Sequence, residues 1–316
     1  MHMQYRKRKR KAFNKLKRSE PLIMMQNSLT LKAIFNRLAI LIISLTGCLS
    51  ARPVSALIPY VYEPNPQVLY QTSLNIGRTA TQLLQIGQNE QAANLAALAV
   101  RLQPHDERLW SVLAAAQHRN GQLEAALRSL IKAKTINPQN PEVWFAEAAL
   151  ILEQNQPNQA IKLLNHGLKL DPKNSNGYFQ LGNARIMQAN FESALKAFKQ
   201  ACSLKPSFWE ALNNQAIVLF EMGKMQKAIQ TWREVLIIEK NAEPMLALAA
   251  ALNQIQPQAS EAINLANKAL SQNPNYVLAK YQEEQLWGFK LRKAARELLQ
   301  KPELFSAVDL AEANAD

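Results

Sequence analysis

The sequence predicts an all-α superhelical solenoid, a row of helix hairpins stacked side by side and closed by a C-terminal capping helix. Two spacings carry that prediction. Six alanines recur every 34 residues: Ala92, Ala126, Ala160, Ala194, Ala228 and Ala262. Five prolines keep the same step, Pro104, Pro138, Pro172, Pro206 and Pro274, with Lys240 at the sixth place. The chain has 15 prolines in 316 residues, so five on one register is not an effect of composition. A fixed period of this length means repeated supersecondary units that bury their apolar faces on one another, rather than one globular core.

The first element is a leader, residues 1–56. The whole chain carries 37 Lys+Arg against 24 Asp+Glu, a net +13. Residues 1–56 hold 12 of the bases and one acid, Glu20. The rest is therefore 25 against 23, or +2, and a nucleic-acid reading of the body loses its main support. A basic zone, Arg6 to Arg18, is followed by an apolar stretch from Leu38 to Leu49. At about 12 residues that stretch is short of the roughly 20 a spanning helix needs, and it fits the core of an export signal. Val54-Ser55-Ala56 supplies small residues before a cleavage point, which predicts Leu57 as the mature end. Two alternatives stand beside cleavage after Ala56. Leu45-Thr46-Gly47-Cys48 resembles a bacterial lipobox, which implies acylation of Cys48, and residues 38–51 would serve as an uncleaved anchor. Met25 onward reads by itself as an ordinary export signal.

Residues 57–72, with Pro59, Pro64 and Pro66, read as an extended linker. Six units then follow over 73–276: 73–106, 107–140, 141–174, 175–208, 209–242 and 243–276. Positions 4, 8 and 11 of each unit share one helical face, as do 20, 24 and 27. Position 8 is small (Ala80, Ala114, Ala148, Gly182, Ala216, Ala250), as is the alanine column at position 20. Small residues there let two helices approach, and the large ones at positions 4 and 24 fill the space beside them. Trp110, Trp144, Tyr178, Phe198 and Trp232 are thereby predicted as core rather than as a ligand cage. Gly87, Gly121, Asn155, Ala189, Gly223 and Pro257 mark the inner turns. The unit-end proline stops the second helix, and Asp106, Asn140 and Asn174 cap the next one. Residues 277–300 read as one capping helix, apolar on one side, and 301–316 as a short helix or tail.

The run Trp110–Leu113–Ala114, Gly121, Ala126, Ala133 and Pro138, repeated with variation, resembles the tetratricopeptide repeat family. The resemblance covers about two-thirds of the chain and implies a right-handed superhelix with a concave groove. Gln117, Arg185 and Asn253 depart from it at position 11, where the family prefers a bulky residue. The resemblance also implies that the first helix of each unit lines the groove. The residues it places there include Arg78, Arg108, His118, Arg119, Phe145, Phe179, Gln180, Asn183, Asn213 and Asn214. Asparagines in a groove can hydrogen-bond a peptide backbone, and Phe145 with Phe179 is predicted to hold an apolar side chain. Units 4 and 5 lack the basic pair of a carboxylate clamp.

No catalytic signature stands out. Of the four histidines, His2, His105, His118 and His166, His105 lies in a unit-end turn beside Asp106, and His118 and His166 stand on separate helices without paired cysteines or acidic partners at metal spacing. No phosphate-cradling glycine loop is present. Cys202 would be the single cysteine of the mature chain. The expectation is a noncatalytic scaffold without cofactor or metal that binds a protein or peptide and no nucleic acid, with membrane contact through the N-terminal segment. Resemblance to exported repeat proteins implies the periplasm or thylakoid lumen, and a role in membrane or photosynthetic complex assembly. The alternative is a lipoprotein of a cell-envelope assembly machine.

Overall fold

The computed structural model describes residues 65–257 and 260–315, and they form a helical solenoid. Six hairpins follow one another. They are α1 (Pro66–Gln85) with α2 (Asn89–Leu102), α3 (Glu107–Arg119) with α4 (Leu123–Ile136), and α5 (Pro141–Glu153) with α6 (Pro157–Leu170). After them come α7 (Ser175–Met187) with α8 (Phe191–Leu204), α9 (Trp209–Glu221) with α10 (Met225–Ile238), and α11 (Ala242–Ile255) with α12 (Ser260–Gln272). Cys48, Ala56 and the anchor reading of 38–51 lie outside the described residues. No helix among the described residues is long and apolar enough to cross a membrane.

The predicted caps and turns form as the residue types require. Asp106 Oδ1 accepts from the Arg108 amide at 3.0 Å, Asn140 Oδ1 from that of Glu142 at 3.1 Å, and Asn174 Oδ1 from that of Gly177 at 2.8 Å. Each satisfies an amide that the helix itself leaves unpaired. The inner turns pass through left-handed backbone at Gly87, Gly121, Asn155, Ala189 and Gly223. The alanine column is buried throughout, as is its partner at position 8. Phe198 and Trp232 are fully buried, while Trp110 and Trp144 are half-buried and donate through their indole nitrogens to the carbonyls of Pro104 and Pro138. Gly182 replaces alanine at position 8 because a Cβ there would stand 2.4 Å from the Phe198 ring.

Two boundaries differ from the sequence reading. The linker assigned to 57–72 gives way to helix at Pro66. Asn65 caps that helix by accepting from the Gln67 amide at 2.8 Å, and Pro66 takes the first helical position, where its fixed φ and missing N–H cost nothing. The single capping helix over 277–300 is two helices. A 3-10 turn (Pro274–Val277) leads to α13 (Ala279–Glu284), the chain breaks at Leu286 with φ of +64°, and α14 (Phe289–Leu299) begins after Gly288. The tail forms a second 3-10 turn (Pro302–Leu304) and α15 (Phe305–Asn314). The break lets the two halves pack on different surfaces, α13 on the first 3-10 turn and α14 on α9 and α11, while α15, after the second 3-10 turn, packs on α12 and the first 3-10 turn.

Ala189 holds a left-handed φ of 54°, which a Cβ disfavours. Ala189→Gly should therefore raise stability by about 0.5–1 kcal/mol. In a thermal melt that appears as a rise of about 2 °C in Tm.

Candidate partner-binding groove

Contacts between units define which face is concave. Successive first helices touch at α1–α3, α5–α7, α7–α9 and α9–α11. Among the described residues no contact of comparable extent joins successive second helices. The first helices therefore crowd the inside of the curve, and their outward positions form its inner wall.

Seen on that wall, the predicted groove residues separate into three groups and a pair of ties between units. Arg78 and Arg108 are exposed on α1 and α3. Arg78 Nη1 donates to Asn75 Oδ1 at 3.0 Å. Arg108 is aimed by its neighbours: Nε donates to Asp106 Oδ1 at 2.9 Å and Nη2 to the Tyr70 hydroxyl at 2.9 Å. The same guanidinium holds the Asp106 carboxyl below the usual carboxylate range. With Leu74, Gly77, Thr81, Leu109 and Val112 these two arginines line an open depression whose floor is mostly apolar.

The second group is half-buried on α7. The Phe179 ring lies 5.1 Å from Phe208 and 6.0 Å from Phe198, centroid to centroid. Gln180 turns its Oε1 inward without a partner, and Asn183 Oδ1 accepts from Asn214 Nδ2 at 2.9 Å.

The third group is a correction. Phe145, Asn213 and Asn214 are not available on the wall; they are 3, 0 and 8% exposed. Phe145 is wedged into the stack. A Cβ on Gly167 or Gly177 would stand 2.6 or 2.7 Å from its ring, so those two glycines make its slot. Asn213 Oδ1 accepts from Trp232 Nε1 at 3.0 Å, and Asn213 Nδ2 faces Asn214 Oδ1 at 3.4 Å. His118 and Arg119 act as ties between units. His118 Nε2 meets Glu153 Oε2 at 2.8 Å, and Arg119 Nη1 donates to the Leu84 carbonyl at 2.9 Å.

Beyond Asn213 the wall is covered by the chain itself. Glu221, buried at the end of α9, accepts from the amides of Leu291 at 2.8 Å and Lys290 at 3.2 Å, the first turn of α14. Lys290 Nζ donates to the Glu221 carbonyl at 2.6 Å. Glu243, in the first turn of α11, accepts from Trp287 Nε1 at 3.0 Å. Burial pushes the Glu243 carboxyl up to about 7, against the opposing pull of hydrogen bonds from Trp287, Asn213 and Tyr276. Tyr276 is itself raised, chiefly by burial. These residues were missed from the sequence. Glu221 occupies position 13 of its unit, a groove position, and Trp287-Gly288 interrupts the capping pattern; those two signals together could have found the seat.

Among the described residues no cluster of histidine, cysteine or carboxylate side chains could hold a metal ion. Burial raises the Cys202 thiol to about 11, which keeps it protonated at neutral pH.

The comparisons with known proteins agree with this architecture. Residues 117–182 and 179–244 match two models of the tetratricopeptide repeat. Residues 117–244 carry tetratricopeptide repeats. Residues 67–137 match the model of a bacterial transcriptional activator domain, and they hold the first two hairpins, on the same register as the later ones. Among solved structures, PilF of Pseudomonas aeruginosa is 19% identical, with 70% of this chain and 98% of that one aligned at a TM-score of 0.59. TTC0263, a thermophilic repeat protein of Thermus thermophilus, is 20% identical over 57% of this chain and 98% of that one, with a TM-score of 0.50. At these identities the likeness is one of fold.

The seat of α14 should respond to pH through Glu243. Its folded value of about 7 lies above the ordinary 4.5. The proton it retains therefore adds stability that is complete below about 4.5 and lost as pH rises through about 7. Urea unfolding between about pH 5 and pH 8 should show this loss in the unsubstituted chain and a flatter profile in Glu243→Gln.

Proposed function

We propose that the chain is a noncatalytic scaffold that holds a segment of a protein partner along the open wall of units 1–4. One observation carries the reading. The first two units present an open depression with a half-buried apolar floor beside two exposed guanidiniums, whereas the last two units are already filled by α14. Arg108 is held by Asp106 and Tyr70, which lowers the conformational cost of using it. A partner that suits this stretch offers an apolar side chain beside a carboxylate; the half-buried Phe179, Gln180 and Asn183 extend the surface for its continuation. The repeat fold supports protein interaction in general, and the groove's few replaceable side chains set the partner.

The apolar stretch and the small residues before Ala56 support export, with work on a membrane or photosynthetic complex as the setting. A second reading, a lipoprotein of an envelope assembly machine, is favoured by Leu45-Thr46-Gly47-Cys48. N-terminal analysis of the native protein separates the two. Leu57 at the start fits the first, and an acylated Cys48 fits the second.

The groove reading has its own check. Arg78→Glu combined with Thr81→Asp alters two exposed side chains and should leave the helical spectrum intact. It should weaken capture of the native partner in a quantitative pull-down at least about fivefold, the loss expected of one charged contact. Undiminished capture would place the binding surface elsewhere.

A further inference from the structure

The filled end of the groove shows what kind of surface it accepts. Glu221 and Glu243 stand on two different first helices, yet both carboxylates take their hydrogen bonds from one short segment, Trp287 to Leu291. A carboxylate at the start of a helix satisfies amides that have no partner within it and complements its dipole. The helix that follows buries Leu291, Ala294, Ala295, Leu298 and Leu299 in the cluster formed with α9 and α11. That spacing is a single apolar stripe. Lys290, Lys293, Arg296 and Glu297 remain exposed. In form this is an amphipathic helix laid in a groove, a mode by which separate chains recognise one another.

We propose that the wall of units 5 and 6 is a docking site for an amphipathic helix, held at rest by residues 287–299, and that a protein partner presenting a helix of this pattern takes the seat by displacing them. The occupant's own sequence states the partner's chemistry: an aromatic residue with an N–H donor, a glycine, then an apolar stripe of five positions with a basic opposite face.

Two features favour exchange over a permanent closure. The joint before α14 holds Leu286 at φ of +64°, left-handed backbone that a bulky side chain disfavours, and release of Trp287, whose amide closes this turn on the Gln282 carbonyl at 3.0 Å, frees the joint to relax. The seat also encloses the Glu243 carboxyl, which undocking would return to water. This seat is distinct from the open stretch of units 1–4, and neither reading depends on the other.

The test uses the full chain and a labelled synthetic peptide of residues 285–301. In the Gly288→Ala chain a Cβ would stand 2.2 Å from Glu221 Cδ, which weakens the resident helix and leaves the wall itself unaltered. The peptide should bind that variant at least about tenfold more tightly than it binds the unsubstituted chain, since a vacated seat removes the competition. A peptide carrying the same Gly288→Ala change should bind neither. Equal affinity for both chains, or no binding to either, would overturn the proposal. Arg78→Glu in either chain should leave peptide affinity unchanged; a loss would mean that the peptide lies in the open stretch and would equally overturn it. Native-state hydrogen exchange on the unsubstituted chain decides the matter if the variant fails to fold. Amides of α14 should exchange by local opening at least about tenfold faster than those in the middle of α9 and α11. Protection equal to that of α9 and α11 would show a permanent cap.

Discussion

The close approach of two helices through paired small side chains is the constraint on which everything else in this chain rests. At position 8 and position 20 of each unit an alanine, or once a glycine, stands where the helices of a hairpin meet, and each is buried. A methyl group is all that the gap admits. Close spacing brings the larger residues at positions 4 and 24 into contact with those of neighbouring units, and dispersion contacts among them make the stack cohere. Because each hairpin has two apolar flanks, none is satisfied alone, and the row must end in something that covers the last one.

That need explains the C-terminal architecture. One continuous helix would cover a single flank of unit 6. Two breaks, at Leu286–Gly288 and at Pro302, divide the covering role. The last helix, α15, packs on the second helix of unit 6, and α14 crosses to the inner wall. The polar groups of the inner wall then form a ladder from Asn183 through Asn214 and Asn213 to Glu243 and Trp287. The same ladder removes Asn213 and Asn214 from the exposed wall and divides the groove into an open stretch and a filled one.

Much of this was legible in the sequence, because it follows from local rules that repeat. The period, the small columns, the caps at Asp106, Asn140 and Asn174, and the left-handed turns each need only nearby residues, and six copies reinforce the signal. Pro66 was misread because proline suits an extended segment and a first helical position equally well. Phe145 was misread for a different reason. Its burial depends on Gly167 and Gly177, which sit on two other helices, and only packing reveals that they leave a slot for its ring. The seat of α14 lies further still from local rules, since Glu221 meets a partner 70 residues away in the chain.

Paired substitution tests the central constraint most directly. Ala160 is fully buried in the small column, and Ala146 is exposed on the neighbouring helix of the same unit. Leucine has nearly the helix propensity of alanine, so Ala160→Leu and Ala146→Leu differ mainly in the space the new side chain meets. Chemical denaturation should show Ala160→Leu losing about 1–3 kcal/mol or more, the cost of overpacking a closed gap, with Ala146→Leu close to the unsubstituted chain. Equal midpoints for the two variants would contradict the account.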